Sequence, residues 1–440
     1  MSLARRPALA VALAALLVLA GCSLPPFGLR EDPNDRLGWE NGYAANASLP
    51  VTEDDGLNES EREAVVARSM ARVELIRDLE FRESVPVRLV TREEYRESRG
   101  GGETDAARRA FEDVVWEASF VVGETRDAAE ARETVFGSAV LGFYSRNGNI
   151  VIVSDSETPT LDPRTLAHEL VHALQDQRLS LGPNRPTRDG NLARNGLVEG
   201  DANYVEARYA ERCESEWSCL ALLNQSGATR PDGFVEGIYQ TAIHPYVIGP
   251  RFVDSLRERG GWEAVNDAYE DFPASTEQTI HPEKYGAEAP VEVTVEDRTS
   301  GGWERFDVDH PTQTLGEASI YVTFSQTGVV GEDHATYNYS HPLSAGWAGD
   351  RLVPYRLDEG GATEYGYVWK TEWDTPENAR VFLAGYRDLL ATYNATRDGD
   401  VYVIPEGGYA DAFRVTREGT TVTIVNAPTT DALDRVHARE

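Results

Sequence analysis

Two histidines and a glutamate in the run His168-Glu169-Leu170-Val171-His172 have the clearest chemical capacity of any residues in this sequence. On a helix, residues i and i+4 lie one above the other on the same face. His168 and His172 can therefore present ring nitrogens to one zinc ion, for which imidazole is a common ligand. Glu169 is offset by about 100° around the helix axis, so its carboxylate reaches a water beside the ion without being a ligand. The run predicts a zinc site with a general base.

The flanking residues favour this interpretation, because Asp162 and Pro163 are suited to begin a helix. Leu166, Leu170 and Leu174 form an apolar stripe at helical spacing, opposite the histidines. The helix resembles the extended signature of the zincins, the HExxH zinc metallopeptidases, in having uncharged residues beside both histidines. The resemblance implies Zn²⁺ as cofactor and peptide-bond hydrolysis as activity. The alternative is a pair of polar residues on an ordinary amphipathic helix.

A catalytic zinc needs a third protein ligand, and Glu199, at the start of the next helical run, is the best candidate. The metzincin continuation is absent, since Gln175 and Arg178 occupy its glycine and histidine positions. Glu199 resembles the ligand of the gluzincins, in which a downstream helix supplies a glutamate. Its neighbour Gly200 would let that helix pack closely against the metal helix. Asp201 is the alternative ligand, and a solvated carboxylate is the alternative role.

Further residues are assigned to the surroundings of the ion. Thermolysin-type gluzincins place an aspartate four residues after the ligand glutamate to orient a histidine, and this chain has Asn203 there, whose amide oxygen can still accept a ring N–H. His281 and Tyr246 are the candidate catalytic donors to the developing oxyanion. The alternatives are a hydrogen-bonded core histidine and a core aromatic ring. Glu277 and Lys284 could equally form a structural ion pair.

A longer resemblance extends over about residues 60 to 375. The segments Leu197–Ala202, Ser275–Tyr285 and Ala345–Arg351, together with the HExxH helix, look like an uncharacterised family of HExxH cell-surface lipoproteins found often in haloarchaea. This implies a secreted or lipid-anchored zinc peptidase with undefined substrates. The zincin resemblance also implies that the strand Ile150–Val153 is the sheet edge that pairs with an extended peptide substrate.

The N-terminus has the features of an export signal. An arginine pair precedes the apolar stretch Pro7–Ala20, which is too short to span a bilayer comfortably. It ends at Leu19-Ala20-Gly21-Cys22, which resembles a lipoprotein lipobox with Cys22 as the lipidated residue. We expect a signal peptide at 1–21 and a lipid anchor in the outer face of the cell membrane. The alternative is an N-terminal transmembrane anchor.

The remaining cysteines, Cys213 and Cys219, are an even number in an oxidising compartment, and a local disulfide is predicted. A metal role is the alternative, but no other cysteine or nearby histidine completes a set.

The composition is strongly acidic. Against 42 basic residues stand 74 acidic ones, which gives a formal net charge of −32. Such a surface repels nucleic acid and anionic headgroups, so both are excluded as direct partners. Lys284 and Lys370 are the only lysines, and this composition resembles proteins of salt-loving archaea. The absence of a G-x-S-x-G motif disfavours a serine hydrolase.

The predicted fold class is α+β. After the signal peptide we expect a flexible acidic tether at 22–58, a zincin-like α-rich domain with a small edge sheet at 59–285, a linker at 286–310 and a smaller α+β domain of unknown role at 311–440. Ser60 is predicted to open the first helix with a capping box. Other predicted helices lie at about 193–212, 247–259, 261–270 and 375–393, and C-terminal strands at 351–357, 365–373, 401–404 and 421–425.

The sequence therefore predicts a cell-surface zinc metallopeptidase acting on peptides or proteins. One alternative is a zinc hydrolase that acts on a substrate other than a peptide. The other alternative is a surface binding or structural protein that keeps the zincin fold without turnover. The intact Glu169 argues against that alternative, because loss of function would be expected to remove the proton acceptor early.

Overall fold

The computed structural model of the protein describes residues 36–51, 55–99, 105–136, 142–145, 147–220 and 230–439. The predicted signal peptide, the lipidation site predicted at Cys22 and the first part of the predicted tether lie outside these residues. The described chain is α+β, as predicted. No helix within the described ranges is both long enough and apolar enough to cross a membrane.

The helices are α1 (Glu59–Arg77), α2 (Arg92–Arg99), α3 (Ala106–Ala118), α4 (Ala128–Phe136), α5 (Pro163–Arg178), α6 (Arg188–Ser215), α7 (Glu236–Ala268), α8 (Thr276–Ile280), α9 (Gly316–Gln326), α10 (Pro376–Thr392) and α11 (Leu433–Val436). The strands are β1 (Trp39–Glu40), β2 (Tyr43–Ala44), β3 (Val87–Val90), β4 (Gly142–Ser145), β5 (Asn149–Val153), β6 (Glu304–Arg305), β7 (Trp347–Glu359), β8 (Ala362–Trp373), β9 (Thr396–Asp398), β10 (Val401–Val403), β11 (Ala412–Glu418) and β12 (Thr421–Ala427).

The N-cap of the first long helix, α1, lies two residues before the predicted one. Asn58 is the N-cap: its side chain accepts from the backbone N–H of Glu61, whose carboxylate accepts from the N–H of Asn58. Ser60 donates its hydroxyl to the Asn58 side chain instead. The prediction of Ser60 as cap was wrong because Asn58 and Glu61 have the same capping-box spacing as Ser60 and Glu63, and asparagine is an equally good cap.

Part of the segment predicted as a flexible tether is folded against α1. The hairpin β1–β2 precedes Ala45, whose carbonyl accepts a hydrogen bond of 2.8 Å from Nε of Arg72. Gly38 N–H donates to the buried carboxylate of Glu74 at 3.0 Å, and the side chain of Leu57 is fully buried. Two-residue strands carry no measurable periodicity, so a sequence pattern could not reveal this packing.

The small sheet beside α5 has the strand order β3-β5-β4. Strand β5 pairs with β3 in parallel and with β4 in antiparallel register across the Asn147-Gly148 turn. The prediction that Ile150–Val153 forms the sheet edge was therefore wrong. Both sides of β5 are occupied, and β4 is the edge strand next to α5. The run is uniformly apolar because a central strand is buried on both faces.

Helices α6 and α7 cross at close range. A Cβ on Gly200 would lie 2.4 Å from the backbone of Gly249, so only glycine fits at this crossing. The close partner of Gly200 is thus α7 and not the metal helix, as we had expected. Helix α7 begins at Glu236, earlier than predicted, and continues through Pro245; its helical geometry is interrupted at Gly260–Gly261.

The C-terminal part forms a seven-stranded antiparallel sheet in the order β6-β7-β8-β12-β11-β10-β9. Helix α10 packs on one face, where Trp369 and Phe382 share a core with Phe111 of α3. The segment predicted as a linker carries buried Val293 and Trp303. Helix α3 precedes the predicted boundary in sequence, but it packs against this sheet. The hydrophobic core therefore continues across the predicted boundary.

Candidate metal centre

Helix α5, which carries the two histidines, is capped at its N-terminus and packed along one face. Asp162 is the N-cap and accepts from the backbone N–H of Arg164 at 2.8 Å, and Pro163 is the first helical residue. Leu166, Leu170 and Leu174 are buried, as the stripe predicts. This packing leaves the opposite face of α5 turned towards α6.

The third predicted ligand comes from α6. Glu199 Oε2 lies 3.3 Å from Nε2 of His168 and 3.3 Å from Nε2 of His172. The two Nε2 atoms are 3.1 Å apart. The structure thus brings together, in one group, the three side chains that the sequence assigns as metal ligands.

The donor set and its spacing fit zinc. Four ligands about 2.0–2.1 Å from a tetrahedral ion lie about 3.3–3.4 Å from one another. The three observed edges of 3.1, 3.3 and 3.3 Å are close to this value. Two imidazoles with one carboxylate leave a fourth position for water or substrate, as catalytic zinc requires.

The outer nitrogen of each histidine is held by a hydrogen-bond partner. Nδ1 of His172 lies 2.9 Å from Oε1 of Gln175, and Nδ1 of His168 lies 3.2 Å from Oε2 of Glu206. The amide of Gln175 in turn donates to the carbonyl of Val198 at 2.9 Å. Such partners select the tautomer in which Nε2 carries the lone pair, and they fix the ring orientation.

The alternative ligand Asp201 lies outside this group. It is fully buried and binds Nε of Arg77 at 2.9 Å, and it also accepts from the phenol of Tyr269 at 2.8 Å. The Gln175 amide donates to the same carboxylate at 3.3 Å. Asp201 is therefore connected to His172 only indirectly. One hydrogen bond joins Asp201 to Gln175, and a second joins Gln175 to Nδ1 of His172.

Glu169 is held beside the ligands by the edge strand. The backbone N–H of Tyr144 in β4 donates to its Oε2 at 2.7 Å. Burial raises the pKa of the Glu169 carboxyl, although the neighbouring imidazoles of His172 and His168 act in the opposite direction. A carboxylate with a raised pKa and one oxygen anchored is suited to receive a proton on the other oxygen.

The ligand charges stabilise one another. Burial disfavours the ionised form of Glu199, yet His172 and His168 hold the pKa of its carboxyl well below the usual range. Burial lowers the pKa of His168, but its hydrogen bonds to Glu199 and Glu206 outweigh this and raise it to about 10.

Only one of the two predicted oxyanion donors lies at the site. Tyr246 of α7 stacks on His168 with ring centroids 6.2 Å apart, and its phenol interacts with the Glu199 carboxylate. His281 pairs instead with Glu317, at 3.0 Å from Nε2. Its described charged neighbours are carboxylates of α8, α9 and the adjoining turn, and the metal ligands are not among them.

Two further predictions concern residues around the site. Cys213 and Cys219 form a disulfide at the end of α6, which confirms the predicted pair. Lys284 Nζ binds Glu277 Oε1 at 2.7 Å and also Asp374 at 2.9 Å, which is the structural ion pair considered as an alternative.

Gln175 and Glu206, the partners of the two histidines, were not among the predicted site residues. Asn203, which was predicted to orient a histidine, donates instead to the carbonyl of Tyr246 at 3.2 Å. A usable signal exists for both missed residues. Gln175 is three residues after His172, and Glu206 is seven residues after Glu199, so each lies on the same helix face as the residue it accompanies.

One family model matches part of the chain. It describes a domain of unknown function, DUF8575, and matches residues 304–437. The matched part begins at β6 and ends just after α11, so it covers the seven-stranded sheet and not α5 or α6. A search of curated proteins and a search of solved structures give no match.

Proposed function

We propose that this protein is a zinc-dependent metallopeptidase of the zincin type. The observation that carries the proposal is the triangle formed by Nε2 of His168, Nε2 of His172 and Oε2 of Glu199, with edges of 3.1, 3.3 and 3.3 Å. Two helices supply these atoms, and a hydrogen-bond partner at Nδ1 orients each imidazole ring. His168, His172 and Glu199 would hold the ion, and Zn²⁺ bound there would polarise water and the substrate carbonyl.

Glu169 is the group that moves the proton. Its Oε2 is anchored by the N–H of Tyr144, which leaves Oε1 to take a proton from the attacking water. The same oxygen can return the proton to the leaving amine. The raised pKa of this buried carboxyl makes the transfer more favourable than it would be for a carboxylate in water.

Tyr246 supplies a donor on the other side of the site. Its ring stacks on His168, its phenol interacts with the carboxylate of Glu199, and the residue is 41% exposed. A hydroxyl in this position can donate to the carbonyl oxygen as negative charge develops there. The place of His281 beside Glu317 does not support the same role for it.

The substrate is an extended peptide that approaches along β4. This strand is the edge of the small sheet, and the Tyr144 N–H shows which of its sides faces Glu169. A cleft of about 620 Å³ lies between β5 and the first turns of α5 and reaches Glu169. Ile150, Ile152 and Leu166 line it, so an apolar substrate side chain would fit there.

The membrane location is part of the proposal and rests on the sequence alone. Lipid attachment at Cys22 would hold the enzyme at the outer face of the cell membrane. Cys22→Ser should release the protein into the medium or leave it unprocessed. Normal processing with unchanged membrane retention would exclude the lipid at Cys22 as the anchor.

The proposal is tested by metal analysis of protein purified in high salt without chelators. We expect close to one zinc per chain, and His168→Ala or His172→Ala should abolish tight binding. Folded wild-type protein that takes up no zinc would contradict the proposal. Protein that binds zinc and peptides but never cleaves a mixed peptide library would instead be the binding protein considered as the alternative.

A further inference from the structure

Two prolines lie inside helix α7, close to the proposed oxyanion donor Tyr246. They are Pro245 and Pro250. A proline within a helix has no N–H to donate to the carbonyl four residues earlier. Pro250 therefore leaves the backbone carbonyl of Tyr246 without its usual helical donor. A carbonyl in this situation takes its hydrogen bond from water or from a side chain of another element.

Asn203 of α6 supplies this hydrogen bond. Its Nδ2 donates to the carbonyl oxygen of Tyr246 at 3.2 Å. Asn203 is four residues after Glu199 and three before Glu206, so the three side chains lie on one face of α6. This face of the helix thus contacts the metal group, the ring of His168 and the backbone of Tyr246.

The two helices are in backbone contact next to this hydrogen bond. A Cβ on Gly249 would lie 2.3 Å from the carbonyl oxygen of Gly196, and a Cβ on Gly200 would lie 2.4 Å from the carbonyl carbon of Gly249. The contact leaves no room for α6 and α7 to move closer together. The distance between the Asn203 amide and the carbonyl that it binds is therefore set by the crossing of the two helices.

Packing holds the side chain of Tyr246 only in part. Its ring stacks on that of His168 at an interplanar angle of 14°, and its phenol interacts with the Glu199 carboxylate. The residue is nevertheless 41% exposed, so much of its surface has no neighbour to restrain it. A hydrogen bond to its backbone therefore contributes to where the phenol lies.

We infer that Asn203 is a positioning residue for Tyr246 in the proposed active site. The inference rests on the proposed function, because Tyr246 is the oxyanion donor of that site. The Asn203 amide holds the turn of α7 that carries the phenol, and so keeps the hydroxyl where negative charge develops on the substrate. A displacement of about 1 Å at such a group can cost about 10²-fold in rate.

This role differs from support of the metal. The outer nitrogens of His168 and His172 are bound by Glu206 and Gln175, so the orientation of the two rings does not depend on Asn203. Loss of the Asn203 amide should therefore leave zinc affinity unchanged and act on turnover. An interaction made only in the transition state affects kcat and leaves KM nearly unchanged.

The first measurement is the rate of peptide cleavage by the zinc-loaded full chain. Asn203→Ala should lower kcat about 10–100-fold and change KM little. Tyr246→Phe should lower kcat by about 10²–10³-fold. Adding Asn203→Ala to Tyr246→Phe should cause no further loss, because the hydroxyl that it positions is already absent. An equal loss from Asn203→Ala in both backgrounds would show a general structural effect and overturn the inference.

The second measurement reads the backbone without catalysis. In the zinc-free protein, amide hydrogen exchange of segment 241–249 should be about 2–10-fold faster in Asn203→Ala, as expected for the loss of one hydrogen bond. Pro250→Ala restores an N–H four residues after Tyr246, so it should return the exchange rate and kcat of Asn203→Ala towards the wild type. Pro245→Ala restores an N–H to Thr241 instead, and this matched control should rescue neither.

The outcomes separate this inference from the proposed function. A wild type that takes up no zinc or cleaves no peptide contradicts the proposed function, and hydrogen exchange then still decides whether Asn203 holds this turn of α7. Unchanged exchange in Asn203→Ala, or equal rescue by Pro245→Ala and Pro250→Ala, would overturn the inference. Faster exchange with an unchanged kcat would also overturn it, because the amide would then contribute to stability alone.

Discussion

Oε2 of Glu206 lies 3.2 Å from Nδ1 of His168. Glu206 is seven residues, about two helical turns, after the proposed ligand Glu199, so one face of α6 presents both a proposed ligand and the hydrogen-bond partner of His168. A carboxylate behind a ligating imidazole fixes the ring and increases its basicity. The support that Asn203 was expected to provide is thus supplied one turn later by a charged group.

This relationship makes Glu206 a positioning residue. Glu206→Ala should weaken zinc affinity about 10–100-fold, because His168 loses the partner of its outer nitrogen. Glu206→Gln, which keeps an acceptor oxygen, should recover part of the affinity. Asn203→Ala is the matched control on the same helix and should leave zinc affinity unchanged. Competition with a chelating indicator measures all three, and equal losses for Glu206→Ala and Asn203→Ala would contradict the assignment.

Substitutions at Glu199 and Asp201 distinguish the proposed third ligand from its buried neighbour. Glu199→Gln should abolish tight zinc binding while the protein stays folded. Asp201→Asn should instead lower the free energy of unfolding by about 3–5 kcal/mol, because it leaves the guanidinium of Arg77 buried without its carboxylate. Zinc content and urea unfolding of both variants decide the matter. If Asp201→Asn loses zinc and Glu199→Gln retains it, the ligand is Asp201.

The grouping of the three proposed ligands could be predicted in part because helical spacing is a local property. His168 and His172 are fixed by one helix, and Glu199 follows at the beginning of the next helical run. His281 could not be placed in the same way, because its position depends on how α8 packs on α9. The buried carboxylate of Glu317 captures the ring there. No sequence pattern near His281 predicts its contact with Glu317.

The wrong predictions about the fold also concern contacts between residues that are distant in sequence. Ile150 to Val153 of β5 are all apolar, and this pattern predicts a strand without indicating which neighbouring strands it pairs with. The edge position of β4 follows from the register of the sheet, with Tyr144 opposite Ile150. Gly200 was correctly identified as a site of close approach, but the partner, Gly249, is nearly fifty positions away and belongs to α7. Tertiary pairing of this kind cannot be derived from a single local pattern.

The burial of the Asp189 carboxyl should make the free energy of unfolding depend on pH in an unusual direction. Burial raises its pKa from 3.8 to about 8, against the opposing hydrogen bonds from Thr276. The folded state thus holds a proton that the unfolded chain releases near pH 4. The free energy of unfolding should decrease as the pH rises between 3.8 and about 8, by at most about 1.4 kcal/mol per pH unit from this group.

Asp189→Asn tests this, because asparagine keeps the oxygen that Thr276 binds and stays neutral at every pH. The difference in free energy of unfolding between the variant and the wild type should increase in favour of the variant from about pH 4 to about pH 8 and then stay constant, measured by urea unfolding in high salt. Asp388→Asn on the exposed side of α10 controls for the loss of one charge. A wild type and an Asp189→Asn variant with parallel pH profiles would show that Asp189 titrates normally.

A substitution at Glu169 distinguishes an enzyme from a binding protein, because the proposed mechanism gives this residue a proton to move and no metal to bind. Its Oε2 accepts from Tyr144 N–H at 2.7 Å, and glutamine can accept the same hydrogen bond while losing the base. A positioned general base contributes about 10²–10⁴-fold in rate. Glu169→Gln should therefore keep its fold and its zinc, while cleavage of a peptide found with the wild type falls by about that factor. Asp176→Asn, which removes a carboxylate from the same helix that binds the Tyr144 phenol, is the matched control and should retain most of the activity. A Glu169→Gln protein that cleaves as fast as the wild type would assign the activity to another group or to a contaminant.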